Sequence, residues 1–232
     1  MSMKKLELYV HIPFCEEKCK YCDFLSFKAD DGEKKAYVTQ LIEEIKAQGQ
    51  NYSDYLVSSI FIGGGTPTTL NGIWILDIMN AIRENFMVET DAEVSIECNP
   101  GTLSTSKIMH IKKAGVNRIS FGLQSSIEEE LKELGRIHTY KDFLQSYQLA
   151  REYGFTNINV DLMSGLPKQT IDSYKTTLKR VCALKPEHIS AYSLIIEPGT
   201  PFFEKYGSEE GAQLLPGENT DREMYALTKS IL

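Results

Sequence analysis

Short apolar runs alternate with segments of helical periodicity along most of the chain. The runs are typical of buried strands and cover positions 6–12, 57–62, 93–97, 118–121, 157–162 and 188–194. In the intervening segments, apolar residues recur at intervals of three and four, which predicts helices over 33–49, 71–86, 104–114, 126–134, 140–153 and 171–184. Strands that alternate strictly with helices predict an α/β fold with a parallel sheet and helices packed outside it.

The six repeated units fall short of the eight that close a full barrel. We therefore expect a partial (β/α)6 TIM-like barrel that is open on one side, and a doubly wound sheet is the other option. Residues 1–201 form this predicted core. After the turn that ends at Pro201 the pattern changes, so 202–217 is expected to be a loop and 221–232 a helix. The segment 202–232 is expected to be the start of a truncated C-terminal region.

Composition narrows the class of protein. The chain has 232 residues, of which 42% are hydrophobic, and a net charge of −7. Acidic and basic residues are mixed and form no basic stripe, which does not favour a nucleic-acid partner. No run of about 18 apolar residues predicts a membrane span. Without the apolar core of a signal peptide, a cytoplasmic location is expected, where thiols stay reduced.

Three of the five cysteines lie close together, at Cys15, Cys19 and Cys22. Their C-x3-C-x2-C spacing follows Pro13, which should end the first strand and place the thiols on a loop. Thiolates bind zinc or iron–sulfur clusters, and three ligands leave one position of a cubane open. Two alternatives remain: a packed stripe on one helix face, and a zinc site completed by His11.

Polar and glycine residues follow the other predicted strands. The run 63–67 reads Gly-Gly-Gly-Thr-Pro, which suits a close approach of a ligand to the backbone or simply a tight turn. Glu97 could bind an ammonium group, Arg136 a carboxylate and Asp161 ribose hydroxyls. The carboxyl ends of parallel strands share one edge, so the matching ligand is an amino acid joined to a nucleoside.

These motifs together resemble the radical S-adenosylmethionine (SAM) enzymes. The cysteine motif and the Gly-Gly-Gly-Thr-Pro run carry the broad resemblance. A narrower one, to the oxygen-independent coproporphyrinogen III oxidase family, rests on the segments 9–15, 97–100, 120–124 and 161–167. This resemblance extends from Leu6 to at least Pro201.

The resemblance implies a specific cofactor site. Cys15, Cys19 and Cys22 would ligate a [4Fe–4S] cluster, and SAM would chelate the open iron. Reduction of SAM by the cluster would then give methionine and a 5′-deoxyadenosyl radical. The residues that match SAM-contacting positions of the family are Tyr9, Tyr21, Gly64, Gly65, Thr66, Glu97, Gln124, Arg136, Asp161 and, through its backbone, Ile195.

One position separates two branches of the resembled family. The oxidases, which decarboxylate coproporphyrinogen III, carry a further cysteine two residues after the third ligand, where this chain has Phe24. They also carry an N-terminal extension before the first strand. Both differences favour the sister branch of HemW-like heme chaperones. That branch implies heme as a further ligand in place of a porphyrinogen, and an electron donor and hemoproteins as partners.

Overall fold

The computed structural model describes residues 3–232, in which six parallel strands form one sheet. Their order in the sheet is their order in the chain, and each strand pairs with the next. The strands are β1 (Lys4–Ile12), β2 (Tyr55–Gly64), β3 (Met87–Cys98), β4 (Arg118–Gln124), β5 (Ile158–Ser164) and β6 (His188–Ser193). A doubly wound sheet reverses its strand order, so that alternative is wrong, and the partial barrel is confirmed.

Helices connect the strands and cover the outer face of the sheet. They are α1 (Asp31–Gly49), α2 (Gly72–Asn85), α3 (Thr105–Lys113), α4 (Glu128–Leu134), α5 (Tyr140–Glu152), α6 (Ile171–Cys182), α7 (Pro201–Tyr206), α8 (Glu209–Ala212) and α9 (Glu218–Ile231). Among residues 3–232, no helix combines the length and the apolar character needed to cross a membrane.

Local sequence determines where several helices begin. The Asp30 carboxylate accepts a hydrogen bond from the Glu33 amide at 2.9 Å, and the Glu33 carboxylate accepts one from the Asp30 amide at 3.0 Å. The same reciprocal arrangement opens α5 at Thr139 and α6 at Thr170. Each satisfies amide groups that the first helical turn leaves without partners.

The two faces of the sheet differ in polarity. Ile96, Ile119 and Val160 are fully buried beneath the helices. On neighbouring positions of the same strands, Ser120 and Asn159 are buried but polar. Side chains alternate between faces along a strand, so the inside of the open barrel carries polar groups. This inner face leads up to the candidate site.

The segment after the sixth strand is more ordered than the sequence suggested. The prediction of a loop over 202–217 is wrong, because α7 and α8 lie within it. Pro201 occupies the first turn of α7, and the Thr200 hydroxyl accepts from the Phe203 amide at 3.1 Å. Phe202 is buried against Leu134 and neighbouring apolar side chains. The sequence did not predict this helix, because a helix of 6 residues is too short to show helical periodicity.

Candidate cofactor site

One cavity of about 320 Å³ lies at the carboxyl ends of the strands. Its wall contains all three clustered cysteines and nearly every residue expected to contact SAM. From the predicted set it is lined by Cys15, Cys19, Tyr21, Cys22, Gly64, Gly65, Thr66, Glu97, Gln124, Arg136, Asp161 and Ile195. The topology therefore gathers residues from the ends of all six strands around a single space.

The cysteine loop is attached to the barrel at both ends. The Cys15 amide donates to the Phe27 carbonyl at 3.0 Å, and the Phe27 amide donates back to Pro13 at 2.9 Å. In the middle of the loop, the Lys20 amide donates to the Leu134 carbonyl at 3.0 Å. The prediction of a loop, in place of a helix stripe, is therefore correct.

The three thiols suit an iron–sulfur cluster. All are free, and all face the same cavity. Among residues 3–232, no three His, Cys, Asp or Glu side chains are close enough to hold a single metal ion. Three thiols on the wall of one cavity match the three protein ligands that leave one iron of a cubane open. Burial raises the pKa of the Cys22 thiol, so its thiolate needs the positive charge of a metal.

Gly64 and Gly65, at the end of β2, let the end of β1 and the cysteine loop pack directly against the backbone. A Cβ atom on Gly65 would lie 2.7 Å from the Phe14 carbonyl oxygen and 3.0 Å from the Cys15 sulfur. Gly64 has φ of +122°, a backbone conformation open almost only to glycine. Its amide donates to a Glu97 carboxylate oxygen at 3.0 Å. The glycine run is thus a tight turn on which the start of the cysteine loop packs.

Arg136 lies between the cysteine loop and the strand ends. Its guanidinium donates to the Cys19 sulfur at 3.3 Å, to Asn99 Oδ1 at 3.1 Å and to the Gly122 carbonyl. Its Nε is buried and has no hydrogen-bond partner among the described residues. An unpaired donor of a buried cation costs stability unless an acceptor arrives. Arg136 also lines the cavity, so its positive charge suits a carboxylate that enters there.

Glu97 is a largely buried carboxyl on the same wall. Burial raises its pKa to about 7, and the negative charge of Asp161 adds to this, while the Gly64 amide opposes it. Near neutral pH this group therefore changes between a neutral acid and a carboxylate. Only the carboxylate attracts an ammonium group strongly.

The pKa of Glu97 predicts how pH affects the iron-free protein. A carboxyl whose folded pKa lies above its unfolded pKa binds more protons when folded, so stability falls as pH rises between the two values. We expect Glu97→Gln to raise the free energy of unfolding by about 1–3 kcal/mol at pH 8 and by much less at pH 5. Urea unfolding of both proteins at the two pH values measures this, and an equal effect at both would contradict it.

Asp161 and Gln124 lie on adjoining strands of the wall. Asp161 accepts from Asn159 Nδ2 at 2.7 Å and from the Ser120 hydroxyl at 3.2 Å. Burial raises the pKa of Asp161, and these hydrogen bonds oppose the rise. Gln124 has φ of +71°, which turns its side chain at the end of β4, and its Oε1 accepts from the Tyr192 hydroxyl at 2.9 Å.

Tyr9 and His11 do not line this cavity. The Tyr9 ring stacks on Phe61, and its hydroxyl lies 3.2 Å from His11 Nδ1. His11 Nε2 lies 3.0 Å from the Leu25 carbonyl oxygen, so both ring nitrogens have partners. The structure therefore does not bring His11 to the thiols as the zinc alternative requires.

The structure adds wall residues that sequence reasoning did not assign. Asn99 joins two parts of the site, because it accepts from Arg136 and donates to the Thr66 hydroxyl at 2.8 Å. Tyr192, at the end of β6, has its pKa raised to about 12 by burial. Asn99 belongs to the Glu-Cys-Asn-Pro motif, and this motif could have identified it as a site residue. For Tyr192, the sequence gives no indication beyond its position at the end of a predicted strand.

Comparison with known proteins agrees with this geometry. The family model of the Radical SAM superfamily matches residues 9–181. The heme chaperone HemW of Bacillus subtilis is 39% identical over 96% of this chain and 58% of its own length. The oxygen-independent coproporphyrinogen III oxidase of Salmonella typhimurium is 38% identical over 82% of this chain and 42% of its own.

A solved structure gives the same result for the fold. The Escherichia coli coproporphyrinogen III oxidase HemN, a radical SAM enzyme, superimposes with a TM-score of 0.88 and 32% identity. The match covers 100% of this chain and 52% of that one. This chain thus spans about half the length of the relatives it matches.

Proposed function

Because this chain belongs to the Radical SAM superfamily, we propose that it is the cofactor-binding core of a HemW-type heme chaperone. Membership confirms the predicted cofactors, a [4Fe–4S] cluster and SAM. When bound, the cluster supplies the single electron that cleaves SAM reductively. The remaining tasks, binding and shielding, fall to the residues of the wall.

We propose a task at each end of SAM for residues that line the cavity. Cys15, Cys19 and Cys22 hold the cluster. Glu97, as a carboxylate, binds the ammonium group, and the guanidinium of Arg136 pairs with the carboxylate. Asp161, which lines the same cavity, receives the ribose hydroxyls. Gly64 and Gly65 line the cavity without side chains, so the methionine part can approach the backbone.

The identity of residue 24, a phenylalanine, and the exposure of its ring favour a chaperone. At this position the resembled oxidases carry a cysteine, and here the side chain is apolar and 64% exposed while lining the cavity. A phenyl ring has no thiol with which to transfer protons or hydrogen atoms. An exposed aromatic ring instead suits contact with a flat apolar ligand such as heme.

Oxidative decarboxylation of coproporphyrinogen III is the second candidate. It is supported by the similarity to the Escherichia coli oxidase over the whole of this chain. The two functions share the cluster and the SAM site, so these cannot separate them. Phe24 is the position at which they differ.

The full-length protein, purified anaerobically, separates the two candidates. We expect titration with heme to give a saturable Soret band, and incubation with coproporphyrinogen III, SAM and dithionite to give no protoporphyrinogen IX. Formation of protoporphyrinogen at many turnovers per chain would overturn the chaperone proposal. The full-length Phe24→Ala variant tests whether the phenyl ring contributes to heme binding. We expect its affinity for heme to be about tenfold lower than that of the wild type.

The partners and location follow from the same proposal. A chaperone of this type would receive one electron from a donor protein and pass heme to hemoproteins. Because free thiols must ligate the cluster, we place the protein in the reducing environment of the cytoplasm.

A further inference from the structure

Asn159 is a buried amide directly below Asp161 on the inner face of β5. Only 2% of its surface is exposed. It stands two residues before Asp161, so both side chains point to the same face of the strand. It does not line the cavity, and none of the family motifs assigns it a task.

Both the nitrogen and the oxygen of its side-chain amide have hydrogen-bond partners. The Nδ2 group donates to Asp161 Oδ1 at 2.7 Å and to the Ser120 hydroxyl at 2.7 Å. The Oδ1 atom accepts from the Ser190 hydroxyl at 3.1 Å and contacts His188 Nδ1. An ionised carboxylate only accepts, so the amide nitrogen must face Asp161. His188 must in turn donate from Nδ1.

This network also directs both oxygens of Asp161. Ser120, which accepts from Asn159, donates its own proton to Asp161 Oδ2 at 3.2 Å. Each carboxylate oxygen thus receives a hydrogen bond from inside the barrel, and the Ser190 hydroxyl also acts on the carboxylate. The lone pairs that remain are left for groups in the cavity.

We propose that Asn159 is a positioning residue that holds the Asp161 carboxylate in the orientation required to accept two ribose hydroxyls. The inference rests on the proposed SAM site. Two neighbouring hydroxyls need both carboxylate oxygens at a fixed angle, and one side chain directs both, one oxygen directly and the other through Ser120. Asn159 touches neither SAM nor the cluster, so it acts only through Asp161.

Other charged or titratable groups also act on Asp161. Arg118 on β4 and Tyr192 on β6 come from the two neighbouring strands, and Glu97 comes from β3. His188 reaches it only through Asn159. A pH experiment must therefore compare each variant with the wild type at the same pH, because these groups are common to both.

Two substitutions test the inference on the anaerobically reconstituted chain, with radiolabelled SAM as the probe. We expect Asn159→Leu to raise the Kd for SAM about 10- to 100-fold, because a hydrogen bond to a carboxylate is lost. Asn159→Asp places a second carboxylate against the first. We expect its Kd, relative to that of the wild type, to fall about tenfold from pH 8 to pH 6, as the pair takes up one shared proton.

Asn157→Leu is the matched control. Asn157 is the same residue type, two positions earlier, and its amide donates to Glu93 at 3.4 Å, away from Asp161. We expect it to bind SAM as the wild type does. All variants should keep the wild-type iron content and, at saturating SAM, the EPR change of the reduced cluster, because the methionine end is untouched.

The outcomes are distinct. An unchanged Kd in Asn159→Leu, or an Asn159→Asp loss that does not vary with pH, would overturn this inference alone. An equal loss in Asn157→Leu would do the same, because it would show a general effect on β5. Absence of SAM binding by the reconstituted wild type would overturn the proposed cofactor site and, with it, the inference.

Discussion

Replacing Cys19 with serine will leave the protein without its iron–sulfur cluster. We expect the iron content of the anaerobically reconstituted chain to fall from about four atoms to less than one, and the broad absorption near 400 nm to disappear. The cysteine loop offers three thiols, so two remain to hold a cubane that needs three. Cys98 also lines the cavity, but it lies buried at the end of β3, with 2% of its surface exposed. A serine hydroxyl is a poor ligand for iron in this setting, because it is not ionised at neutral pH.

Loss of SAM binding should follow from loss of the cluster. The open iron is the expected partner of the amino and carboxylate groups of SAM, and the roles we propose for Glu97 and Arg136 only add to that binding. We expect the Kd for SAM to rise more than about 100-fold in Cys19→Ser. Equilibrium dialysis with labelled SAM measures this on the same samples as the iron analysis.

Cys182→Ser is the matched control for Cys19→Ser. This thiol is also free and partly exposed, but it lies on α6 and does not line the cavity. We expect the full iron content and unchanged SAM affinity. Wild-type iron in Cys19→Ser would contradict the assignment of the ligands. One zinc per wild-type chain in place of iron would favour the zinc-stabilised binding module instead.

The site could be foreseen because the sheet is parallel. In such a sheet, the residue after each strand lies at the same edge, so strand ends that are far apart in sequence become neighbours. Glu97 and Asp161 are 64 residues apart, yet they face one cavity. Knowing the order of strands and helices was enough to group them. No contact had to be predicted individually.

Other features of the site could not be predicted, because the contacts that form them leave no pattern in the local sequence. Tyr9 was expected at the cofactor, but stacking on Phe61 and contact with His11 hold it outside the cavity. Asn159 was not singled out, because only the tertiary structure shows that its four hydrogen bonds converge on Asp161 and its neighbours. In the sequence, a buried asparagine looks like any other polar residue within an apolar strand, and only its hydrogen-bond partners reveal its role.

The bounds of β3 show a similar limit. Helix α2 and strand β3 follow each other with only Phe86 between them, and the first half of β3 is rich in acidic residues. Because these polar residues have low strand propensity, the sequence did not predict the first half of β3, and the strand was expected from residue 93 onward. Pairing with β2 at Met87 and Val88 overrides the local preference.

Substituting Gly64 with alanine should have a large effect on stability. A Cβ atom there would lie 2.8 Å from the His11 ring and 2.9 Å from the Ile12 carbonyl oxygen. His11 cannot turn aside easily, because both of its ring nitrogens already have partners in Tyr9 and Leu25. The backbone also has φ of +122°, which an alanine strongly disfavours. Steric clash and backbone strain therefore act together.

We expect Gly64→Ala to lower the free energy of unfolding by about 2–4 kcal/mol, which corresponds to a fall in Tm of about 5–15 °C. Circular dichroism of the iron-free chain measures this without a contribution from the cluster. Gly199→Ala separates strain from clash, because Gly199 also has positive φ, +82°, but a Cβ there would meet nothing within 4 Å. It should cost about 1 kcal/mol. Equal losses in the two variants would show that the glycine run has room for a side chain, and would remove the steric argument for glycine beside the cluster.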